Sequence, residues 1–277
     1  MKRKSYDGTP SLYLVPTPIG NLEDITFRAV RILKEADVIF CEDTRETKEL
    51  LSYFKIKSKL ILCNEQNEDE IKASVIAYLK EGKMVALTTD RGTPVISDPG
   101  YRVVTHVINA GYNVIGLPGP TALIPALVVS GLPPAPFLFY GFLNSRVAKR
   151  DKELEALKRV SYTLIFYEAP HRLTNTLKAM YKIFGERKIT IAREISKIHE
   201  EIYYGNLTTC LDEDLTIRGE LVLIVEGKKE NSYEHLSIVE HINLYIKEGH
   251  SEKEAIKLVA KDRDIAKSIV YKQYHMR

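Results

Sequence analysis

The sequence predicts an α/β protein: two α/β units in succession, followed by a small α-helical, helix-turn-helix-like module. Three observations predict it. Short apolar runs alternate with helical patterns from Leu12 onward; the stretch Gly131-Leu132-Pro133-Pro134-Ala135-Pro136 interrupts that rhythm; and beyond Gly227 the chain turns charged and helical with no strand signal. The length of 277 residues agrees, because it exceeds what one hydrophobic core usually organises. The expected divisions are 11–134, 135–227 and 228–277.

In the first unit, residues 12–15, 38–41, 60–63, 84–88 and 114–117 have strand length and turn or polar flanks. Ile25, Ala29, Ile32 and Leu33 repeat at helical spacing behind Asp24 as a cap, and Ile71, Val75 and Leu79 do the same further on. This βαβ rhythm predicts a mainly parallel sheet covered on both faces. The apolar segment 121–130 reads as a core helix. Three prolines and a glycine in 131–136 cannot continue a helix, so the second unit starts near Phe137. Its strands are expected at 137–140, 163–167, 188–192, 201–204 and 221–225, with helices at about 149–158 and 171–184. In the tail, Ser251-x-x-Glu254 is a capping-box pattern opening a helix with Ala255, Leu258 and Val259. A polar break at 261–264 precedes a short helix with Ile265 and Ile269, a pattern that equally suits a solvated helical hairpin.

Composition excludes several classes. With 44% hydrophobic and 28% charged residues the chain can offset its ordering entropy, so wholesale disorder is excluded. Forty Lys+Arg against 37 Asp+Glu leave +3, too little to diagnose a polyanion partner. Cys41, Cys63 and Cys210 are far apart with no CxxC pair, which argues against a disulfide framework or zinc site and for a reducing, cytoplasmic setting. Residues 1–10 lack an apolar h-region and read as a loose arm rather than a secretory signal. Residues 107–145 carry no charge, yet Pro118, Pro120, Pro125, Pro133, Pro134 and Pro136 break any helix long enough to span a bilayer. No membrane partner is expected.

In open α/β sheets ligands bind at the carboxyl ends of strands, so the turns there are the candidates for chemistry. The first strand leads into Pro16-Thr17-Pro18-Ile19-Gly20-Asn21, a rigid turn that is not the GxGxxG dinucleotide fingerprint. The second leads into Glu42-Asp43-Thr44-Arg45, which suits either a site or a helix cap by Asp43 or Thr44. The third ends in Asn64-Glu65-Gln66-Asn67-Glu68, suited to polar recognition or to a surface loop. The fourth is followed by twelve residues, Thr89 to Gly100, more than a simple βα turn needs. The fifth leads into Leu117-Pro118-Gly119-Pro120-Thr121-Ala122.

Taken together, LYLVPTPIGNLEDIT, EDTR, the Asp-x-Gly-Thr-Pro-x-x-Ser-Asp-Pro-Gly loop, LPGPTA, LIFYEAPHRL and ARE-x-x-K resemble the bacterial ribosomal RNA small subunit methyltransferase I family. That family is a branch of the tetrapyrrole methylase-like, class III S-adenosylmethionine-dependent methyltransferases. The resemblance covers about 12–227, and the tail is similar to the family's helical module. It implies two tetrapyrrole methylase-type domains with a ligand cleft between them, and S-adenosylmethionine-dependent 2'-O-methylation of a cytidine in the decoding region of 16S rRNA. The implied partners are 16S rRNA or the 30S subunit and a second copy of the chain. Donor contacts are implied at Pro18, Ile19, Gly20, Gly92, Thr93, Ile96, Thr121, Ala122, Tyr167 and Glu168. Gly92-Thr93-Pro94 stands where the wider superfamily has Gly-Asp-Pro, a threonine usual in the rRNA branch that favours RNA over a tetrapyrrole substrate; the sequence departs from the family where Arg91 replaces a small residue and where Asn64 and Gln66 replace histidines that relatives commonly carry.

A ribose hydroxyl is a poor nucleophile until its proton is drawn away, so the reaction asks for a base and for cations beside the developing alkoxide. The expected neighbourhood is Glu42, Asp43, Arg45, Glu65, Arg193 and Lys197, with no metal. Arg193-Glu194 with Lys197 is equally a salt-bridged turn, and His171-Arg172 equally a helix cap. Lys149, Arg150, Lys158 and Arg159, with Lys257, Lys261, Arg263 and Lys267 of the tail, are candidates for phosphate contacts, and Tyr101 and Tyr167 for base stacking. Competing readings are a methyltransferase acting on a tetrapyrrole, corrinoid or other small molecule, and a non-catalytic ribosome assembly factor that binds the donor.

Overall fold

The structure, a computed structural model, describes residues 8–212, 218–229, 236–263 and 265–275. Most of the expected amino-terminal arm, and Asp264 of the expected polar break, lie outside the described residues. One compact unit runs to Gly227 and a second begins at Lys228.

The first half of the larger unit comprises β1 (Ser11–Val15), α1 (Phe27–Glu35), β2 (Val38–Cys41), α2 (Thr44–Tyr53), β3 (Lys59–Leu62), α3 (Glu68–Lys80), β4 (Val85–Thr88), α4 (Tyr101–Asn109), β5 (Asn113–Gly116) and α5 (Leu123–Val129). The strands form one parallel sheet in the order β3-β2-β4-β1-β5. Every residue of β2 and β4 is buried, as their unbroken apolar runs require of central parallel strands. Side chains alternate between faces: Tyr13, Val15, Ile39 and Ala86 pack with Ala29, Ile32, Leu33 and Leu51 of α1 and α2, whereas Leu12, Val38, Phe40 and Leu87 pack with Val75, Leu79, Val103 and Val107 of α3 and α4. Asp24 does not cap α1 as expected. It ends a 3-10 turn capped by Asn21, and Thr26 caps the helix by accepting the Ala29 N–H at 3.0 Å.

The second half comprises β6 (Phe137–Phe142), α6 (Val147–Leu157), β7 (Thr163–Glu168), α7 (Leu173–Phe184), β8 (Lys188–Arg193), β9 (Glu201–Asn206), α8 (Leu207–Asp212) and β10 (Leu221–Val225). Its sheet, ordered β6-β7-β10-β8-β9, is mixed: only β6 and β7 run parallel. One face buries Phe166, Ile189 and Leu223 against Leu154, Leu177 and Met180 of α6 and α7. The other face, with Ile165, Ala192, Val222 and Ile224, is covered by Ile19, Ala126 and Leu127, contributed by the first half. The first half therefore supplies part of the second sheet's core, which makes the two sheets one compact unit. Within 107–145 the apolar helix α5 has seven residues, and no described helix is long and apolar enough to cross a membrane.

The tail unit has three described helices, α9 (Ile238–Lys247), α10 (Glu252–Asp262) and α11 (Lys267–His275), around Ile242, Ile256, Val259 and Val270. Sequence reading expected only the last two and placed the break from residue 261, whereas α10 continues through Asp262. Ser237 and Glu240 form the same reciprocal capping box on α9 that Ser251 and Glu254 form on α10. Arg263 donates to Nδ1 of the buried His241 at 3.2 Å, so it is committed to this small core rather than offered to a phosphate.

Candidate active site

The carboxyl ends of the first sheet's strands and one end of the second sheet enclose a cleft of about 620 Å³. Its residues come from turns tied to one another by hydrogen bonds. Thr17 and Gly92 exchange both backbone bonds, at 2.9 and 3.0 Å, which couples the turn after β1 to the loop after β4. The Thr17 hydroxyl donates to Thr89 O at 3.0 Å, and the Thr93 hydroxyl donates to Pro120 O at 2.9 Å, adding the turn after β5. Gly92 has φ +86°, a region that disfavours any side chain, so its backbone can turn to pair with Thr17.

The far end of the long loop is held by Glu68. Buried at the start of α3, its Oε1 accepts the N–H groups of Gly100 (3.0 Å), Arg102 (2.7 Å) and Val103 (3.3 Å). Gly100 at the cap position of α4 offers no side-chain acceptor, so a carboxylate from the neighbouring helix does the capping. Within the loop Val95 (φ 77°) and Ser97 (φ 64°) occupy the left-handed region, strain that tolerates little rearrangement.

One side of the cleft is acidic, with Glu42, Asp43, Asp90 and Asp98 among its lining. Glu42 accepts the Thr89 hydroxyl at 2.6 Å, and Asp90 accepts the Asp43 N–H at 2.9 Å. Asp43 caps α2, and the side chain and N–H of Arg45 hold its carboxyl down to about 2. Burial, with the charge of Glu42 second, raises Asp90 and pushes Asp98 up to about 7. Apolar lining is contributed by Ile19, Ile96, Ala122, Phe142, Ile195 and Val222. Tyr167 packs edge-on between Phe139 (4.9 Å) and Phe142 (5.6 Å), and its phenol is raised by burial. Among the described residues no group of three or more His, Cys, Asp or Glu is arranged to hold a metal ion.

Of the ten expected donor contacts, Ile19, Gly92, Thr93, Ile96, Thr121, Ala122, Tyr167 and Glu168 line the cleft. Pro18 and Gly20 line a smaller neighbouring cavity with Lys197. The carboxylate of Glu168 is taken up by the Thr176 hydroxyl (2.6 Å), the Ala169 N–H (2.8 Å) and Arg172 (3.3 Å). Arg172, an expected helix cap or site residue, also donates to Leu143 O at 2.6 Å.

The six expected catalytic residues do not form one cluster. Glu42 and Asp43 line the cleft, whereas Arg45 is exposed and clamps Asp43, with Nη2 to Oδ2 at 2.7 Å. Glu65 is exposed in the turn after β3 and is not among the residues lining the cleft. Arg193 binds Arg218 O (2.6 Å) and Glu201 (2.7 Å), within the second half. Lys197 pairs with Glu194 (2.8 Å) and Glu220 (2.9 Å), and its methylenes lie over Gly20. The salt-bridged-turn reading of Arg193, Glu194 and Lys197 thus describes their contacts. Arg91 joins this group by pairing with Glu220 at 3.0 Å across the cleft rim.

Sequence reading missed Asp90, Asp98 and Glu220 as cleft residues; the first two lay inside the quoted loop motif, but nothing in their spacing says which way they face. The amides of the turn after β3 do local work. Asn64 Oδ1 accepts the Gln66 N–H at 3.1 Å, Asn67 Oδ1 accepts the Asn64 N–H at 2.8 Å, and Asn67 Nδ2 donates to Leu62 O at 3.1 Å.

A family model for Tetrapyrrole (Corrin/Porphyrin) Methylases matches residues 11–211. The chain is 47% identical over 276 residues to Ribosomal RNA small subunit methyltransferase I of Bacillus subtilis, covering 96% of this chain and 94% of that protein. It is 41% identical over 273 residues to the protein of the same name in Vibrio cholerae, covering 96% of this chain and 94% of the other. Among solved structures, the methyltransferase CobJ matches with a TM-score of 0.60 at 18% identity, over 80% of this chain and 95% of that one. Uroporphyrin-III C-methyltransferase from Thermus thermophilus, complexed with S-adenosylhomocysteine, matches with a TM-score of 0.55 at 21% identity, over 78% and 97%. The chain belongs to the tetrapyrrole methylases and, within them, to the ribosomal RNA small subunit methyltransferase I family.

Proposed function

We propose that this protein uses S-adenosylmethionine to methylate the 2'-hydroxyl of a cytidine ribose in the decoding region of 16S rRNA. The observation that carries the reading is the cleft itself: separated strand-end turns, characteristic of the family, wall one pocket lined by both carboxylates and apolar side chains. Its volume of about 620 Å³ lies in the range of sites for cofactor-sized ligands. The residues fit a sulfonium donor. Glu42 and Asp90 supply negative charge, Gly92 and Ala122 leave room, and Ile19, Ile96 and Val222 offer apolar surface.

When bound, S-adenosylmethionine supplies a methyl group on a positively charged sulfur, and the departing sulfide is neutral and needs no acid. The protein's task is then alignment of the acceptor oxygen, exclusion of water and removal of one proton. The apolar lining excludes water, and the loop ties through Thr17, Thr93 and Glu68 fix the turns before ligand arrives. Phe142, exposed where it lines the cleft, is suited to stacking a splayed base, and Tyr101 is exposed at the start of α4. Exposed Lys149, Arg159, Lys257, Lys261 and Lys267 are available for phosphates, whereas Arg150 is 7% exposed and less suited.

The acceptor is 16S rRNA or the 30S subunit, in the cytoplasm, and the working form is a homodimer. Exposed Ile124, Val128 and Val129 of α5, beside Tyr204, whose hydroxyl donates to Val129 O at 2.9 Å, support a self-association surface. Incubation with methyl-labelled donor and 30S subunits, naked 16S rRNA or tetrapyrroles tests the reading. Label in a ribose 2'-methyl group is expected; label only in a pyrrole ring, or donor binding without transfer, rejects it.

A further inference from the structure

We infer that Asp98 takes the proton from the acceptor hydroxyl, an inference that rests on the methyl-transfer reading above. The geometry sets it apart from Asp43, Glu42 and Asp90, its neighbours in the acidic part of the cleft. Asp43 is clamped by Arg45 through Nε (3.2 Å), Nη2 (2.7 Å) and the backbone N–H (2.7 Å), which leaves a weakly basic carboxylate. Glu42 Oε2 takes the single proton of the Thr89 hydroxyl at 2.6 Å, which leaves Thr89 only its oxygen to offer Asp98, and Asp90 Oδ1 accepts the Asp43 N–H at 2.9 Å. Asp98 sits where the long loop reaches the second sheet: a Cβ placed on Gly141 of β6 would meet the hydroxyl oxygen of neighbouring Ser97 at 3.1 Å. Its position is fixed on both sides, by the left-handed Ser97 before it and by the Glu68-held Gly100 after it.

The groups acting on Asp98 are Glu42 at the end of β2, Asp90 in its own loop and Glu65 in the turn after β3, with the Thr89 hydroxyl as hydrogen-bond partner; Tyr167 of β7 in turn feels its charge. Burial in this acidic corner raises its proton affinity toward neutrality, where a carboxylate is a far better base than an ordinary surface aspartate. In the step, the ribose 2'-oxygen forms a bond to the methyl carbon. The carbon–sulfur bond breaks with its electron pair going to sulfur, and the hydroxyl proton passes to Asp98.

The test compares the full-length protein with Asp98→Asn and Asp98→Glu, using S-adenosylmethionine and 30S subunits. Calorimetry should find donor affinity of Asp98→Asn within about threefold of the parent, while its single-turnover methylation at saturating donor falls at least about 100-fold. The parent rate should rise with pH and level off above about 7, a limb that Asp98→Asn loses and Asp98→Glu partly keeps. Infrared difference spectra of the protein alone should show a protonated carboxyl that titrates in the same range and is missing in Asp98→Asn. A rate for Asp98→Asn within about threefold of the parent with the same pH limb, or recovery of that rate at higher donor concentration, overturns the assignment. If the parent itself labels no ribose, the methyl-transfer reading fails and the Asp98 role falls with it.

Discussion

Glu68 accepts the Gly100 N–H at 3.0 Å, so a carboxylate at the start of α3 fixes the start of α4 and the loop that carries Asp98. Replacing it with alanine leaves three N–H groups without this acceptor, at a cost of about 1–3 kcal/mol. Glu68→Ala should therefore lower the urea midpoint and weaken donor binding together, and Glu68→Gln, which retains an acceptor oxygen, should recover much of both. Unchanged donor affinity in Glu68→Ala by calorimetry would show that the loop is held by other contacts.

Gly20 (φ +147°) lies under the side chain of Lys197, and a Cβ there would collide with Lys197 Cγ. Gly20→Ala meets both backbone strain and a displaced lysine stem, and should destabilise by about 1–3 kcal/mol. Lys197→Ala in the same chain removes the collision but not the strain, so the double variant should regain only part of the loss. Full recovery on chemical denaturation would mean that the backbone is not strained.

Arg91 and Glu220 meet at 3.0 Å over the cleft rim, with side chains 49% and 62% exposed. Solvent screens such a pair, so Arg91→Ala should change stability by less than about 1 kcal/mol. Because the pair joins the first half to the second, the same substitution should accelerate donor dissociation in stopped-flow experiments, as should high salt on the parent. A dissociation rate insensitive to both would assign Arg91 no role at the rim.

The Asp98 carboxyl has its proton affinity raised from 3.8 to about 7 in the folded protein. The folded state therefore binds more protons than the unfolded chain between those values, and stability from this group is full below about pH 3.8 and lost as pH rises through about 7. Asp98→Asn removes that loss. Its melting temperature relative to the parent should be higher at pH 8 than at pH 5, and a difference that does not vary with pH would contradict the shift.

Much of the first sheet was legible because β2 and β4 are buried on both faces and so read as unbroken apolar runs between amphipathic helices. The antiparallel pairing in the second sheet was not, since the buried apolar runs of β7, β8 and β10 look alike whichever way they run. In the tail, α9 was missed although Ser237 and Glu240 carry the same capping signal that revealed α10. Strand-end position places Glu42 and Asp43 in the lining of the cleft, whereas Arg193, also at a strand end, turns its guanidinium to Arg218 O and Glu201. Asp98 was hidden because a loop has no period from which to read the direction of a side chain.

The central claim is that the shared cleft delivers a methyl group to an RNA sugar. Its most direct measurement is to incubate the purified protein with methyl-labelled S-adenosylmethionine and 30S subunits, digest the 16S rRNA to nucleosides and locate the label. Label in a 2'-O-methylcytidine from the decoding region is the predicted result. Label confined to a base or to protein, or no transfer despite measured donor binding, would contradict it.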